Sequence, residues 1–201
     1  MAAPIDFYFD FSSPYGFLAS EKIEALAAKH GRVVDWRPIL LGVVFKQTGA
    51  APLTQIPLKG DYSRRDMARS AKFHGIGAFR MPTTFPIATQ AAARIVLWLQ
   101  AHQPADEPKV VHALYRAYFV DDIDISNPDK AAAVAAGCGV DEATARGAVD
   151  DPQIKDALKK SNDQAIAAGV FGSPFIVVDG EPFWGADRLD QVERWLATGG
   201  W

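Results

Sequence analysis

Strand patterning occurs near the two ends of this chain and nowhere between them, and this constrains the fold more than any other feature. Ile5 to Phe11 alternates aromatic and β-branched residues with Asp6 and Asp10 on the opposite side, the period of two expected of a half-buried strand. A second strand follows in Arg32 to Leu40, rich in Val and Trp. The pattern returns only at Ser173 to Asp179 and Glu181 to Trp184, joined by Asp179-Gly180, a strong hairpin dipeptide. Strand backbone groups need partners on a neighbouring strand, so both ends are expected to share one sheet.

Everything between is helical in pattern. After Ser12-Ser13-Pro14 the period changes: Ala19, Ile23, Leu26 and Ala27 fall at helical spacing, charges at Glu21, Lys22 and Glu24 fill the opposite side, and Gly31 ends the element. The spacing predicts further helices around Tyr62 to His74, Thr89 to Ala101, Lys109 to Phe119, Asp129 to Ala136 and Gln153 to Ala168. A last helix is expected from about Asp187 to Thr198, with Leu189, Val192, Trp195 and Leu196 on one face. The order is β-α-β, a helical block, then β-β-α, with the opening unit parallel by handedness. That is an α/β chain: a thioredoxin-like domain with a large inserted all-helical domain. Residues 1–45 and 169–201 are expected to form the discontinuous thioredoxin-like domain, and 46–168 the helical insertion.

Composition excludes several functions. At 201 residues, 49% hydrophobic and net charge −3, the chain carries no electrostatic footprint for nucleic acid or an anionic membrane. The start MAAPIDFYFD has no basic segment leading into an apolar one, and the longest apolar helical run, Ala91 to Ala101, is interrupted by Arg94. A soluble, cytoplasmic protein is expected. The single cysteine, Cys138, stands between two glycines and has no second thiol with which to run an intramolecular dithiol cycle. His30, His74, His102 and His112 lack metal-ligand spacing, and Asp121-Asp122-Ile123-Asp124 lacks a calcium-loop pattern, so no metal is expected.

Three stretches can carry chemistry. In FDFSSPYGFLAS, Pro14 suits the first helical position and Ser12 or Ser13 can cap the helix. The same helix start is a ready anion site, where a ligand's thiolate would be stabilised; capping and an active-site hydroxyl both stand. In VFGSPFIVVDG, Pro174 at a strand entry needs an edge, a bulge or a cis bond. A cis Ser173-Pro174 bond would turn the Ser173 N–H and C=O toward a peptide-like ligand. In WGADRLDQ, Asp187 is placed as the N-cap of the last helix, and with Arg188 it also offers what an amino-acid head group needs. Lys59, Arg64 and Arg65 can attract an anion, and Trp36, Trp98 and Trp184 can line an aromatic pocket or fill the core.

Together these stretches resemble the kappa-class glutathione transferases and the 2-hydroxychromene-2-carboxylate isomerases, relatives of the disulfide oxidoreductases of the DsbA type. The resemblance runs through FYFDFSSPYGFLA, LLGVVFKQTGAAP, IPLKGDYSRRD, Phe85-Pro86 with its following helix, and AGVFGSPFIVVDGEPFWGADRL. It implies glutathione as cofactor, with Ser13, directly before the proline, in the place of the redox cysteine because glutathione supplies the sulfur. It further implies that Ser173 before Pro174 pairs with the glutathione cysteine backbone. Gly185, Asp187 and Arg188 would hold the γ-glutamyl end, and Lys59 would assist. The implied activity is a cis/trans-type isomerisation of 2-hydroxychromene-2-carboxylate or a related unsaturated 2-oxo acid. A kappa-type transferase and a non-catalytic glutathione- or peptide-binding module are the alternatives. The implied partners are a small aromatic or unsaturated acid and a second copy in a homodimer. Two departures stand out: Gly49-Ala50-Ala51-Pro52 where kappa enzymes carry an asparagine, and Ala88 where relatives often carry another.

Overall fold

The computed structural model describes residues 2–201. Strands β1 (Ile5–Phe9) and β2 (Val34–Pro38) flank helix α1 (Pro14–Lys29) and run parallel, Ile5 opposite Val34 and Phe9 opposite Pro38. Strand β3 (Phe175–Val178) pairs antiparallel on the other side of β1, with Tyr8 opposite Phe175, and β4 (Glu181–Trp184) completes the order β2-β1-β3-β4. The central strand therefore takes its neighbours from both ends of the chain, as the patterning requires.

Between β2 and β3 lie α2 (Leu41–Thr48), a 3₁₀ turn (Leu53–Gln55), α3 (Lys59–Phe73), α4 (Gln90–His102), α5 (Glu107–Phe119), α6 (Pro128–Ala136), α7 (Glu142–Asp150) and α8 (Pro152–Ala167). A second 3₁₀ turn (Ala186–Arg188) leads into α9 (Leu189–Thr198). Sequence periodicity misses α2 and α7. In α2 only Val44 is buried, too little to imprint a stripe. Helix α7 is announced instead by its cap, Asp141, whose carboxylate accepts from the Thr144 N–H at 2.8 Å.

Helices cover both faces of the sheet, which is why Phe7, Tyr8 and Phe9 are all buried without alternation. On one face Phe7 meets Trp36 edge-on at 5.1 Å, and Phe9 meets Phe11 at 5.2 Å. This cluster runs unbroken into Ile95 and Val96 of α4, Leu114 of α5, Ala132 of α6 and Val149 of α7. The alanines of α6 and α7 let these helices pack closely. On the other face Tyr8 and Phe175 pack with Val44 of α2 and Ala165 of α8. Each buried aromatic contributes roughly 2–3 kcal/mol, so the central strand anchors both layers. No helix among the described residues is long and apolar enough to cross a membrane.

One joint between sheet and helices titrates near neutrality. Glu107 opens α5 and accepts from Gln100 Nε2 at 2.6 Å. Burial, with Asp35 and Glu24 nearby, pushes its carboxyl up to about 7. A folded-state value above the unfolded one means the contribution is complete below the unfolded value and is lost as pH rises through about 7. Glu107→Gln keeps an acceptor for Gln100. Thermal melts should show a smaller fall in Tm for this variant than for wild type between roughly pH 5 and pH 8. Equal slopes would mean that Glu107 does not carry this pH dependence.

Candidate active site

The end of β1 and the start of α1 form the floor of the site. Ser13 is the N-cap of α1, with extended backbone at φ −94°, and its Oγ accepts from the Gly16 N–H at 3.0 Å. The same hydroxyl donates to the Ser173 carbonyl at 2.7 Å, tying α1 to the loop before β3. Ser13 is 4% exposed. Pro14 has no N–H and that of Gly16 is taken. The Tyr15 N–H is thus left as a first-turn donor without an acceptor among the described residues, where the helix dipole also favours an anion. No side chain fits at Gly16: a Cβ would stand 2.6 Å from the Tyr115 hydroxyl and 2.9 Å from Ser173 Oγ.

Asp10 holds this floor together, and sequence patterning placed it on an outward face. Its side chain is instead buried, 4% exposed. One carboxylate oxygen accepts from the Ser12 N–H at 2.7 Å and the Thr89 hydroxyl at 2.9 Å, the other from the Leu41 N–H at 2.6 Å. Its backbone N–H donates to Ser173 Oγ at 3.0 Å, and its carbonyl accepts from the Ser13 N–H at 2.8 Å and the Tyr115 hydroxyl at 3.0 Å. Burial raises the carboxyl, and the three donors offset only part of that rise. The available signal was a polar residue just past a strand end, followed by a turn that needs acceptors.

Around the floor lies a cleft of about 1990 Å³. One wall is a single face of α3, where Lys59, Tyr62, Asp66, Met67, Ser70 and His74 recur at helical spacing. The Tyr15 hydroxyl crosses to Asp66 at 2.6 Å. Burial first, then Asp66, raises the Tyr15 phenol, while the bond from Tyr15 lowers Asp66. Another part of the lining is apolar: Leu41 and Phe45 of α2 with Phe85, Pro86 and Ile87 ahead of α4. The end is closed by Phe171, Gly172 and Ser173 with Trp184 to Arg188.

The structure brings Ser13, Lys59, Ser173, Gly185, Asp187 and Arg188 to this one cleft, with Pro174 buried next to Ser173. The Ser173–Pro174 bond is cis, as is Phe85–Pro86. Two local expectations change. The Ser173 carbonyl is not free for a ligand, because Ser13 donates to it; the Ser173 N–H has no hydrogen-bond partner among the described residues. Asp187 does not cap α9: a 3₁₀ turn intervenes, and the N-cap is Arg188, with no side-chain capping bond. Asp187 lies instead 3.4 Å from the Arg188 guanidinium. Gly185, at φ 111°, leaves room for Asp187, whose Oδ1 would stand 2.3 Å from a Cβ there.

Other candidates separate cleanly. Trp184 lines the cleft, Trp36 is core, and Trp98 stacks on His102 at 4.6 Å. Arg64 and Arg65 are exposed and do not border the cleft. Cys138 is buried in the turn between α6 and α7, also away from it. Among the described residues no group of His, Cys, Asp or Glu is arranged to hold a metal.

Comparison with known proteins agrees with this architecture. A family model described as a DSBA-like thioredoxin domain matches residues 4–197. A 2-hydroxychromene-2-carboxylate isomerase of Sphingobium xenophagum is 31% identical over 199 residues, covering 98% of this chain and 99% of the relative. Glutathione S-transferase kappa 2 of Caenorhabditis elegans is 27% identical, covering 96% and 92%. A solved 2-hydroxychromene-2-carboxylate isomerase superposes with a TM-score of 0.81 at 25% identity, covering 96% of this chain and 94% of that one. The sheet and the helical segment between β2 and β3 are thus those of a known group: the chain belongs to the DsbA-like thioredoxin domains, in the family of the 2-hydroxychromene-2-carboxylate isomerases and kappa-class glutathione transferases.

Proposed function

We propose that this chain is a glutathione-dependent isomerase of 2-hydroxychromene-2-carboxylate or a related unsaturated 2-oxo acid of aromatic degradation. Its main support is the Ser13 hydroxyl at the N-terminus of α1, bonded to Ser173, in a chain whose single cysteine lies outside the cleft. A disulfide enzyme needs a thiol of its own at that position; a hydroxyl instead serves a thiolate that another molecule brings.

The residues present fit glutathione. Arg188 and Lys59 offer cations for its carboxylates, Asp187 an acceptor for its ammonium, and the unpaired Ser173 N–H a partner for its peptide backbone. Bound there, glutathione would supply a thiolate nucleophile for reversible addition to a conjugated double bond, the chemistry that lets such a bond turn as a single bond. Ser13 orients the sulfur by turning its proton from the Ser173 carbonyl toward it. The released carbonyl then accepts a ligand N–H, so binding and thiolate stabilisation share one exchange of donors. The Tyr15 N–H and the α1 dipole add to the same charge. Arg188→Ala should raise KM for glutathione about tenfold with little change in kcat, read from initial rates at varied glutathione; an unchanged KM would remove Arg188 from the ligand contacts.

A kappa-type transferase is the second reading, favoured by the 27% identical kappa-class relative. The mass of the product from 2-hydroxychromene-2-carboxylate and glutathione decides between them. An unchanged mass with altered absorbance marks the isomerase, a glutathione adduct marks the transferase, and glutathione binding without turnover marks a binding module.

A further inference from the structure

Ser12 and Ser13 are adjacent in sequence but bond to different parts of the cleft lining, Ile87 and Ser173. Ser13 is buried and its hydroxyl is spent in both directions, accepting from Gly16 and donating to Ser173. Ser12 is half-buried and borders the cleft. Its Oγ accepts one long bond, 3.4 Å, from the Ile87 N–H, and its own proton faces the Tyr118 hydroxyl, a weak neutral acceptor. The Ser12 backbone is fixed, because its N–H is held by the Asp10 carboxylate at 2.7 Å. The neighbouring Tyr118 hydroxyl donates to the Thr84 carbonyl at 2.8 Å. It is neutral, since burial raises its phenol, and so competes poorly with an anion for the Ser12 proton.

We propose that Ser12 is the acceptor-facing hydroxyl of the cleft and that, with the Ile87 N–H, it holds an anionic oxygen of a flat aromatic or unsaturated acid. The assignment rests on the isomerase reading for its meaning in catalysis, but its geometry is independent of the sulfur. The Ile87 N–H lies 3.4 Å from the Ser12 Oγ, a bond long enough to be shared, so one ligand oxygen can take both the Ser12 O–H and the Ile87 N–H. Around them stand Leu41, Phe45, Phe85 and Pro86, which suit a planar apolar body. Ser13 remains with the thiolate on the Ser173 side. The two ligands thus divide the site between neighbouring serines, and Ser12 determines which acceptors are taken.

Calorimetric titration of trans-cinnamate into wild type and Ser12→Ala, with and without glutathione, tests this. Cinnamate should bind the variant about tenfold more weakly, while its methyl ester, which lacks the anion, should bind both alike. Equal cinnamate affinities, or no binding to wild type, would overturn the assignment. The ultraviolet thiolate band of bound glutathione should be unchanged in Ser12→Ala; its loss would place Ser12 on the sulfur and also overturn it. If wild type shows no thiolate band while cinnamate binding still depends on Ser12, the isomerase reading fails and the role of Ser12 stands.

Discussion

Ser13→Ala is expected to lower turnover by about a hundredfold or more, the scale measured when one preorganised donor to a developing charge is removed, while glutathione affinity changes much less. The reason lies in the two bonds Ser13 makes. Its acceptor role, to the Gly16 N–H at 3.0 Å, is that of a helix cap, worth about 1 kcal/mol of stability. Its donor role, to the Ser173 carbonyl at 2.7 Å, is the one transferred to sulfur. Loss of that donor leaves the thiolate with the Tyr15 N–H and the dipole alone, so the bound thiol should titrate at higher pH. Titrating the ultraviolet thiolate band against pH for both proteins measures the shift, and initial rates at saturating glutathione measure turnover. Equal losses in kcat and in glutathione affinity would reduce Ser13 to a binding contact. An unshifted thiolate midpoint would sink its role on the sulfur altogether.

The second large effect is on stability. Asp10→Ala removes the acceptor of the Ser12 N–H, the Leu41 N–H and the Thr89 hydroxyl. Leaving buried donors unsatisfied costs about 1–3 kcal/mol each. Because Asp10 also touches the cleft, water can meet part of that need, and a net loss of about 3–5 kcal/mol is expected. Asp10→Asn should fall between: its oxygen can still serve Ser12 and Thr89, but its amide would then face the Leu41 N–H, donor against donor. Urea unfolding with an unchanged slope and a lowered midpoint is the expected signature. An Asn variant as stable as wild type would show that Asp10 does not hold the floor of the site together. The three donors come from the serine turn, the start of α2 and the residue before α4, so activity should be lost before the protein unfolds.

Asp10 and Ser13 also mark the boundary between what can be read from a chain and what cannot. That a serine caps α1 was legible because a cap is a local requirement: strand end, hydroxyl, proline and helical period lie within a few residues, whereas the choice of Ser13 over Ser12 came from the resemblance. Asp10 was not legible, since its partners come from residues 41 and 89, and periodicity assigns a face without knowing what covers it. Asp187 shows the same limit at closer range. Its residue type fits a cap, but a 3₁₀ turn of three residues moves the start of α9 beyond it. The α3 wall was half legible: Lys59 came from resemblance, whereas Tyr62, Asp66 and His74 joined it only once the helix was seen to turn that face to the cleft.

The residues alone determined the order of elements, the meeting of both ends in one sheet, the serine at the start of α1 and the absence of a dithiol, because each follows from short-range periodicity, turn chemistry or a simple count of cysteines. Tertiary structure decided which serine hydroxyl is bonded within the floor and which faces the cleft, which carboxylate is buried, and that residues from four separate segments share one cleft. Those outcomes depend on contacts between segments as far apart as Ser13 and Ser173, where local propensity carries no information and packing sets both distance and direction.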